Sequence, residues 1–186
     1  NAPRAQASLL MNLEEADMAP ELELNEIIWK SVHGAAARMP PPVRTGFVHG
    51  AKVVTAAAIS PQRTKQFWKT VVDAGVDLFV IRGTTVSAEH VSSQSEPLNL
   101  KQFIYELDVP VVVGGVATYT AALHLMRTGA AGVLVGFGGG AAHTTRDVLG
   151  VAVPMATAVA DVAAARRDYM DESGGRYVHV IADGGV

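Results

Sequence analysis

Val133-Leu134-Val135-Gly136-Phe137-Gly138-Gly139-Gly140-Ala141-Ala142-His143-Thr144-Thr145-Arg146 runs from a short β-branched segment into four glycines within five positions, then two small residues, then a polar cluster. A brief apolar run that stops at glycine reads as a buried strand. Clustered glycine marks unusual backbone angles or a close approach to backbone. Taken alone, the stretch fits a flexible surface loop as well as a ligand loop. The segments around it decide.

Those segments repeat one pattern. VVTAAAI at 53–59 is a continuous apolar run, as in a strand covered on both faces. Ser60-Pro61 then offers an N-cap and a proline at the first helical position. The spacing predicts a helix over 62–74, with Phe67, Val71 and Val72 inward, Arg63, Lys65 and Lys69 outward, and Gly75 as its stop. VDLFVI at 76–81 predicts a second strand ending at Arg82-Gly83-Thr84-Thr85. A helix over 98–107 carries Phe103, Ile104 and Leu107. VPVVV at 109–113 predicts a third strand ending at Gly114-Gly115. A helix over 118–127, closed by Gly129, leads to a fourth strand at 131–135. Pro154 precedes an Ala/Val-rich helix through 170, and Gly174-Gly175 end it. The fifth strand, 177–181, ends at Ala182-Asp183-Gly184-Gly185.

Residues 1–50 share none of this. Leu22, Leu24, Ile27 and Ile28 have loose helical spacing, and Met39-Pro40-Pro41-Pro42 ends any helix. The expected organisation is an irregular or helical N-terminal segment over 1–50 and an α/β domain over 51–186.

Parallel strands joined by helices satisfy the repeat. The fold class is therefore α/β, with about five parallel βα units at the spacing of a barrel of ~250 residues. Periodicity leaves a closed barrel and an open doubly wound sheet both available, and each places ligands at strand carboxyl ends. Five strands do not close an eight-stranded barrel, so as a barrel the chain reads as part of one.

Composition removes other classes. The 186 residues are 49% hydrophobic and 18% charged, which suits a folded core rather than a disordered chain. A net charge of −3 offers no attraction to nucleic acid or an anionic membrane. No apolar run approaches the roughly 20 residues of a membrane span. Asn1-Ala2-Pro3-Arg4 is not followed by the apolar stretch of a leader, so the expected location is cytoplasmic. The absence of cysteine excludes disulfides, thiolate metal sites and thiol nucleophiles within the chain. His90, His124 and His179 lack metal-ligand spacing. His179, between apolar neighbours, reads as a core or helix-facing histidine.

GGGAAHTTR at 138–146, followed by GVAVP at 150–154, resembles the catalytic loop of the IMP dehydrogenase/GMP reductase family. IADGG at 181–185 resembles a strand end of that family, and GGVAT at 114–118 resembles the segment after an earlier strand. The motifs occur in the family's order, each at a predicted strand end. The wording GFGGGAAHTTR is most similar to actinobacterial IMP dehydrogenase-related paralogues. The resemblance covers 53–186 and implies a partial TIM (β/α)8 barrel. It also implies a purine nucleotide oxidoreductase that converts IMP to XMP with NAD. In that chemistry a cysteine thiolate adds to the purine, hydride passes to NAD, and water releases the product. NAD and K+ are the implied cofactors. The implied partners are a purine nucleotide (IMP, XMP or GMP) and further copies of the chain, as a tetramer.

Carried over by position, Asp183 takes the ribose hydroxyls, against a plain capping or turn role. Gly184 and Gly185 form the phosphate-binding turn, with Gly140 and Ala141 also on the substrate. Ala141 stands where the family has a serine. Carbonyls of Gly138, Gly140 and His143 are the implied monovalent-cation ligands. Thr145 is a catalytic-loop threonine or an ordinary turn hydroxyl. Gly114 and Gly115 fall on the cofactor side with Arg82, which stands where an aspartate is expected. Arg82 meets a phosphate or nicotinamide-side group, or faces solvent or a local carboxylate. His143 stands at the position of the nucleophilic cysteine. Histidine is a poor substitute for a soft thiolate, so the implied turnover is impaired. The alternative is a non-catalytic purine-nucleotide-binding or assembly subunit.

Overall fold

The β-branched runs fold into strands and the amphipathic segments between them into helices. A computed structural model describes residues 11–12, 54–83, 85–88, 98–140 and 144–184. Ala141, Ala142, His143, Gly185, His90 and the rest of 1–50 lie outside the described residues. The chain divides into two units, 1–80 and 81–186.

The first unit holds β1 (Met11–Asn12), β2 (Ala56–Ile59), α1 (Pro61–Asp73) and the first residues of β3 (Leu78–Arg82), with strand order β1-β2-β3. Met11 and Asn12 pair in parallel with Ala57 and Ala58. This strand was not foreseen in a segment read as irregular or helical. The exposed edge of β2 supplies what local sequence does not show, a row of backbone groups that need partners. Ala57, Ala58 and Ile59 are buried, as are Val71 and Phe79. On α1 the inner face is Pro61, Thr64 and Val71, while Phe67 and Val72 are only half-buried. Ser60 makes no side-chain cap. Its carbonyl instead accepts the Thr64 hydroxyl at 2.9 Å and the N–H groups of Arg63 and Thr64 at 3.1 Å. Asp77 ties the end of the α1–β3 turn to the start of β2. Its Oδ2 accepts both the N–H and the hydroxyl of Thr55 at 2.8 Å.

The second unit carries the order β3-β4-β5-β6, with β4 (Val111–Val116), β5 (Gly132–Val135) and β6 (His179–Ala182). β4 pairs in parallel with β5, and β5 with β6. Every residue of β4 and β5 is buried, which is why they read as unbroken apolar runs. The helices are α2 (Leu100–Glu106), α3 (Tyr119–Arg127), α4 (Thr144–Leu149) and α5 (Met155–Glu172). Asn99 caps α2, its Oδ1 accepting from the Gln102 N–H at 3.1 Å. Thr118 caps α3 through its hydroxyl oxygen, 3.4 Å from the Ala121 nitrogen. α3 and α5 lie side by side, burying Ala122, Leu125 and Met126 on one and Ala158, Val162, Ala165 and Tyr169 on the other. Their outer edge is joined by Tyr119 donating to Asp168 and by a two-bond pair, each 2.7 Å, from Arg127 to Glu172.

Two expectations change here. The third strand does not stop at Gly114-Gly115 but continues to Val116, with a register shift against β5 between Gly114 and Val116. Glycine is required there by packing, since a Cβ on Gly114 would overlap the Leu134 backbone and Cβ. His179 is exposed rather than core, because β6 ends the strand order and its alternation buries Val178 instead. Its ring meets the edge of Tyr177 at 5.1 Å, and Arg166 lies over Tyr177 at 5.2 Å. Among the described residues, no helix is long and apolar enough to cross a membrane.

Candidate functional site

In the second unit the glycine stretch leaves β5 at Val135. Gly136 and Gly138 have φ of 112° and 66°, a backbone that favours glycine. Gly136 donates to the Val116 carbonyl at 2.8 Å, and a Cβ on it would overlap the thioether end of Met155, the first residue of α5. A Cβ on Gly138 would come 2.7 Å from the Val151 carbonyl oxygen and 3.0 Å from the Ala152 Cβ. The stretch is therefore wedged between the start of α5 and the segment before it. The surface-loop reading fails for Gly136 and Gly138.

Asp183 enters the same place from β6, donating its N–H to the Val135 carbonyl at 2.9 Å. Gly184 follows with φ of 70°. From β3, the Arg82 Nε donates to Asp183 Oδ2 at 3.1 Å, with the two side chains 42% and 27% exposed. In the strand order β3 and β6 stand three places apart, roughly 14 Å in a flat sheet. An arginine bonded through Nε and an aspartate do not span that gap, so the sheet of this unit curves to bring the two strand ends together. Beside Arg82, Gly83 donates to the Gly114 carbonyl at 2.8 Å, and Gly115 donates to the Gly83 carbonyl at 2.9 Å. Gly115 thus has its N–H already paired. The two glycines offer close approach more than donors.

The structure thus joins Arg82 to Asp183, Gly83 to Gly114 and Gly115, and Asp183 to the start of the glycine stretch. It does not join Thr145 to them. That residue sits half-buried on α4, a six-residue helix with no buried side chain. Nothing in its apolar spacing announces α4. The usable signal was Gly150, which stops the helix with φ of 66° and donates to the Arg146 carbonyl at 3.0 Å. The residues missed as site-shaping are Val151, Ala152 and Met155. Pro154, placed just before α5, pointed to the last of them. His143, Ala141 and Gly185 are outside the described residues.

No group of three metal-ligating side chains occurs among the described residues. The displaced titrations lie away from this place. Donation to Asp168 raises the Tyr119 phenol, and the Arg127 guanidinium holds Glu172 below the usual carboxylate range. A cavity of about 710 Å³ also lies elsewhere, lined by Asn99, Lys101, Tyr105, Gly129 and Arg176 among others, with no residue of the glycine stretch.

Residues 44–186 match the IMP dehydrogenase / GMP reductase domain. The chain belongs to that family. An oxidoreductase of Mycolicibacterium smegmatis, itself described as uncharacterized, is 53% identical over 99% of this chain and 44% of its own length. A Mycobacterium tuberculosis relative of the same description is 52% identical over 97% of this chain and 49% of its own. An inosine-5'-monophosphate dehydrogenase of Pasteurella multocida is 41% identical over 62% of this chain. The chain spans about half the length of the mycobacterial relatives it matches. The crystal structure of an IMP dehydrogenase/GMP reductase-like protein from Corynebacterium glutamicum matches 94% of this chain and 44% of that one, at 46% identity and a TM-score of 0.67. The partial (β/α) barrel expected from the resemblance is thus met. The mycobacterial relatives described as oxidoreductases are thus similar to this chain across the same family domain.

Proposed function

We propose that this chain binds a purine nucleotide (IMP, XMP or GMP) at the carboxyl ends of β3 to β6, as part of an NAD-dependent oxidoreductase whose IMP-to-XMP turnover is impaired. The observation behind this reading is the Asp183 carboxylate, set at the end of β6 beside the wedged glycine stretch. A carboxylate is a double acceptor suited to sugar hydroxyls, and a glycine turn lets backbone N–H groups approach a phosphate. Asp183 takes the ribose, Gly184, Gly185 and Gly140 approach the phosphate, and Ala141 leaves that side without a hydroxyl. NAD, when bound, supplies the hydride acceptor. Arg82, Gly114 and Gly115 are this chain's groups on that side. Carbonyls of Gly138, Gly140 and His143 form the proposed monovalent-cation site, read out as nucleotide affinity in K+ against Na+. His143 and Thr145 occupy the catalytic-loop positions, and the chain holds no cysteine to form the covalent adduct. The reading includes a homotetramer in the cytoplasm.

Calorimetric titration with IMP, GMP and XMP tests the binding. Absorbance of NADH in the presence of IMP and NAD tests the chemistry. Binding without turnover is the expected pair of results. Robust NADH production overturns the impairment, and no binding at millimolar nucleotide overturns the purine reading. The missing thiol also favours a second reading, a purine-nucleotide-binding or assembly subunit without catalysis. Turnover gained by His143→Cys in the complete protein counts against it.

A further inference from the structure

We propose that the outer edge of the Arg82 guanidinium is an oxyanion-binding edge that reads a phosphate group of the bound ligand, while Asp183 beside it takes a sugar hydroxyl. This rests on the purine-nucleotide reading and adds a determinant of specificity to it. Arginine presents five N–H donors in a rigid planar fork. Among the described residues only Nε–H is committed, to Asp183 Oδ2 at 3.1 Å. Among the described residues the two Nη groups have no partner, and the side chain is 42% exposed. Two parallel Nη–H donors match two oxygens of a phosphate, and pairs of this kind are among the stronger hydrogen-bonded contacts. Asp183 is bonded through Oδ2, and among the described residues its Oδ1 has no partner. The shared bond therefore holds one acceptor oxygen and one donor fork side by side.

Stability alone does not account for the pair. A partly exposed ion pair of this kind adds little net stability. Among the described residues, the curvature that joins β3 to β6 also leaves the remaining donors without a partner at the strand carboxyl ends. Nη edges used inside the protein would have implied a purely structural link.

The experiment is calorimetric titration of the whole chain, wild type, Arg82→Gln and Arg82→Lys, with inorganic pyrophosphate, IMP, inosine and NAD. The expected result is that Arg82→Gln weakens pyrophosphate and at least one of IMP and NAD by roughly tenfold or more. Inosine affinity stays unchanged and the salt dependence becomes shallower. Arg82→Lys restores part of the loss, because it returns the charge without the fork. Loss confined to IMP or to NAD identifies whose phosphate is read. Equal loss for IMP and inosine overturns the proposal in favour of mere positioning of Asp183. A gain for both overturns it in favour of Arg82 blocking Asp183, and no change in any titration also overturns it. If wild type binds IMP but Arg82→Gln alters neither IMP, NAD nor pyrophosphate, the purine reading stands and this inference falls. If pyrophosphate binds through Arg82 while no purine ligand binds, the reverse holds. If nothing binds, both fall.

Discussion

The main chain of Gly138 lies against Val151 so closely that a Cβ would come within 2.7 Å of the Val151 carbonyl oxygen. With φ of 66° the position also disfavours any side chain. Gly138→Ala should cost roughly 2–4 kcal/mol of local stability, from the backbone conformation and the overlap together. Hydrogen exchange of the amides from 132 to 158 is the measurement. Unchanged protection would mean that the loop moves aside freely, contrary to the wedge.

Replacing Asp183 by Asn tests the sugar contact separately from the phosphate. A charge-assisted hydrogen bond contributes about 1.5–3 kcal/mol, so nucleotide affinity should fall by about tenfold or more. The loss should be the same for IMP and inosine, and smaller for an analogue without ribose hydroxyls. Equal affinity of wild type and variant for all three would remove Asp183 from the binding site.

The link between α3 and α5 should fail in acid. Two N–H donors of Arg127 hold the Glu172 carboxyl below 4.5, its ordinary value. A lowered carboxylate contributes stability that is complete above 4.5 and is lost as pH falls through its folded-state value. Thermal melts of wild type and Glu172→Gln should therefore differ at neutral pH and converge in acid below 4.5. A constant difference at every pH would point to side-chain packing instead.

Tyr119 behaves in the opposite sense. Its hydroxyl donates to Asp168, which raises the phenol above 10.0. A raised group contributes stability that is present below its unfolded value and lost as pH rises through the folded one. Tyr119→Phe should lower the melting temperature at neutral pH, and the gap should close only in alkali above 10.0. The alkaline transition that phenolate difference absorbance loses in the variant should be one lying above 10.0, and loss of a transition at or below 10.0 would refute the bond.

Much of the second unit was legible because its information is local. Val111, Val112, Val113, Val133, Leu134 and Val135 are all buried, so the strands show in sequence as plain apolar runs. Gly75 and Gly129 have φ of 78° and 101°, and each stands where a helix was read to stop. Pro154 marked the start of α5 to the residue. Thr145 was harder, since α4 buries nothing and so has no periodicity to find.

Other features had no local signal. Gly114 reads as a strand end because glycine usually punctuates, and only the Leu134 backbone beside it explains why glycine continues the strand. Met11–Asn12 is a strand because β2 offers it an edge. His179 sits in an apolar alternation that would bury it between neighbours on both sides, and among the described residues β6 has a paired neighbour only in β5.

By itself the sequence determined the alternation of strand and helix, the glycine-rich strand ends and the absence of a thiol. Each of these is written in neighbouring residues through backbone angle, periodicity or side-chain identity. The tertiary structure alone decided that Arg82 and Asp183, 101 positions apart, form one unit. Their meeting depends on the curvature accumulated over β3, β4, β5 and β6, which no stretch of neighbouring residues encodes.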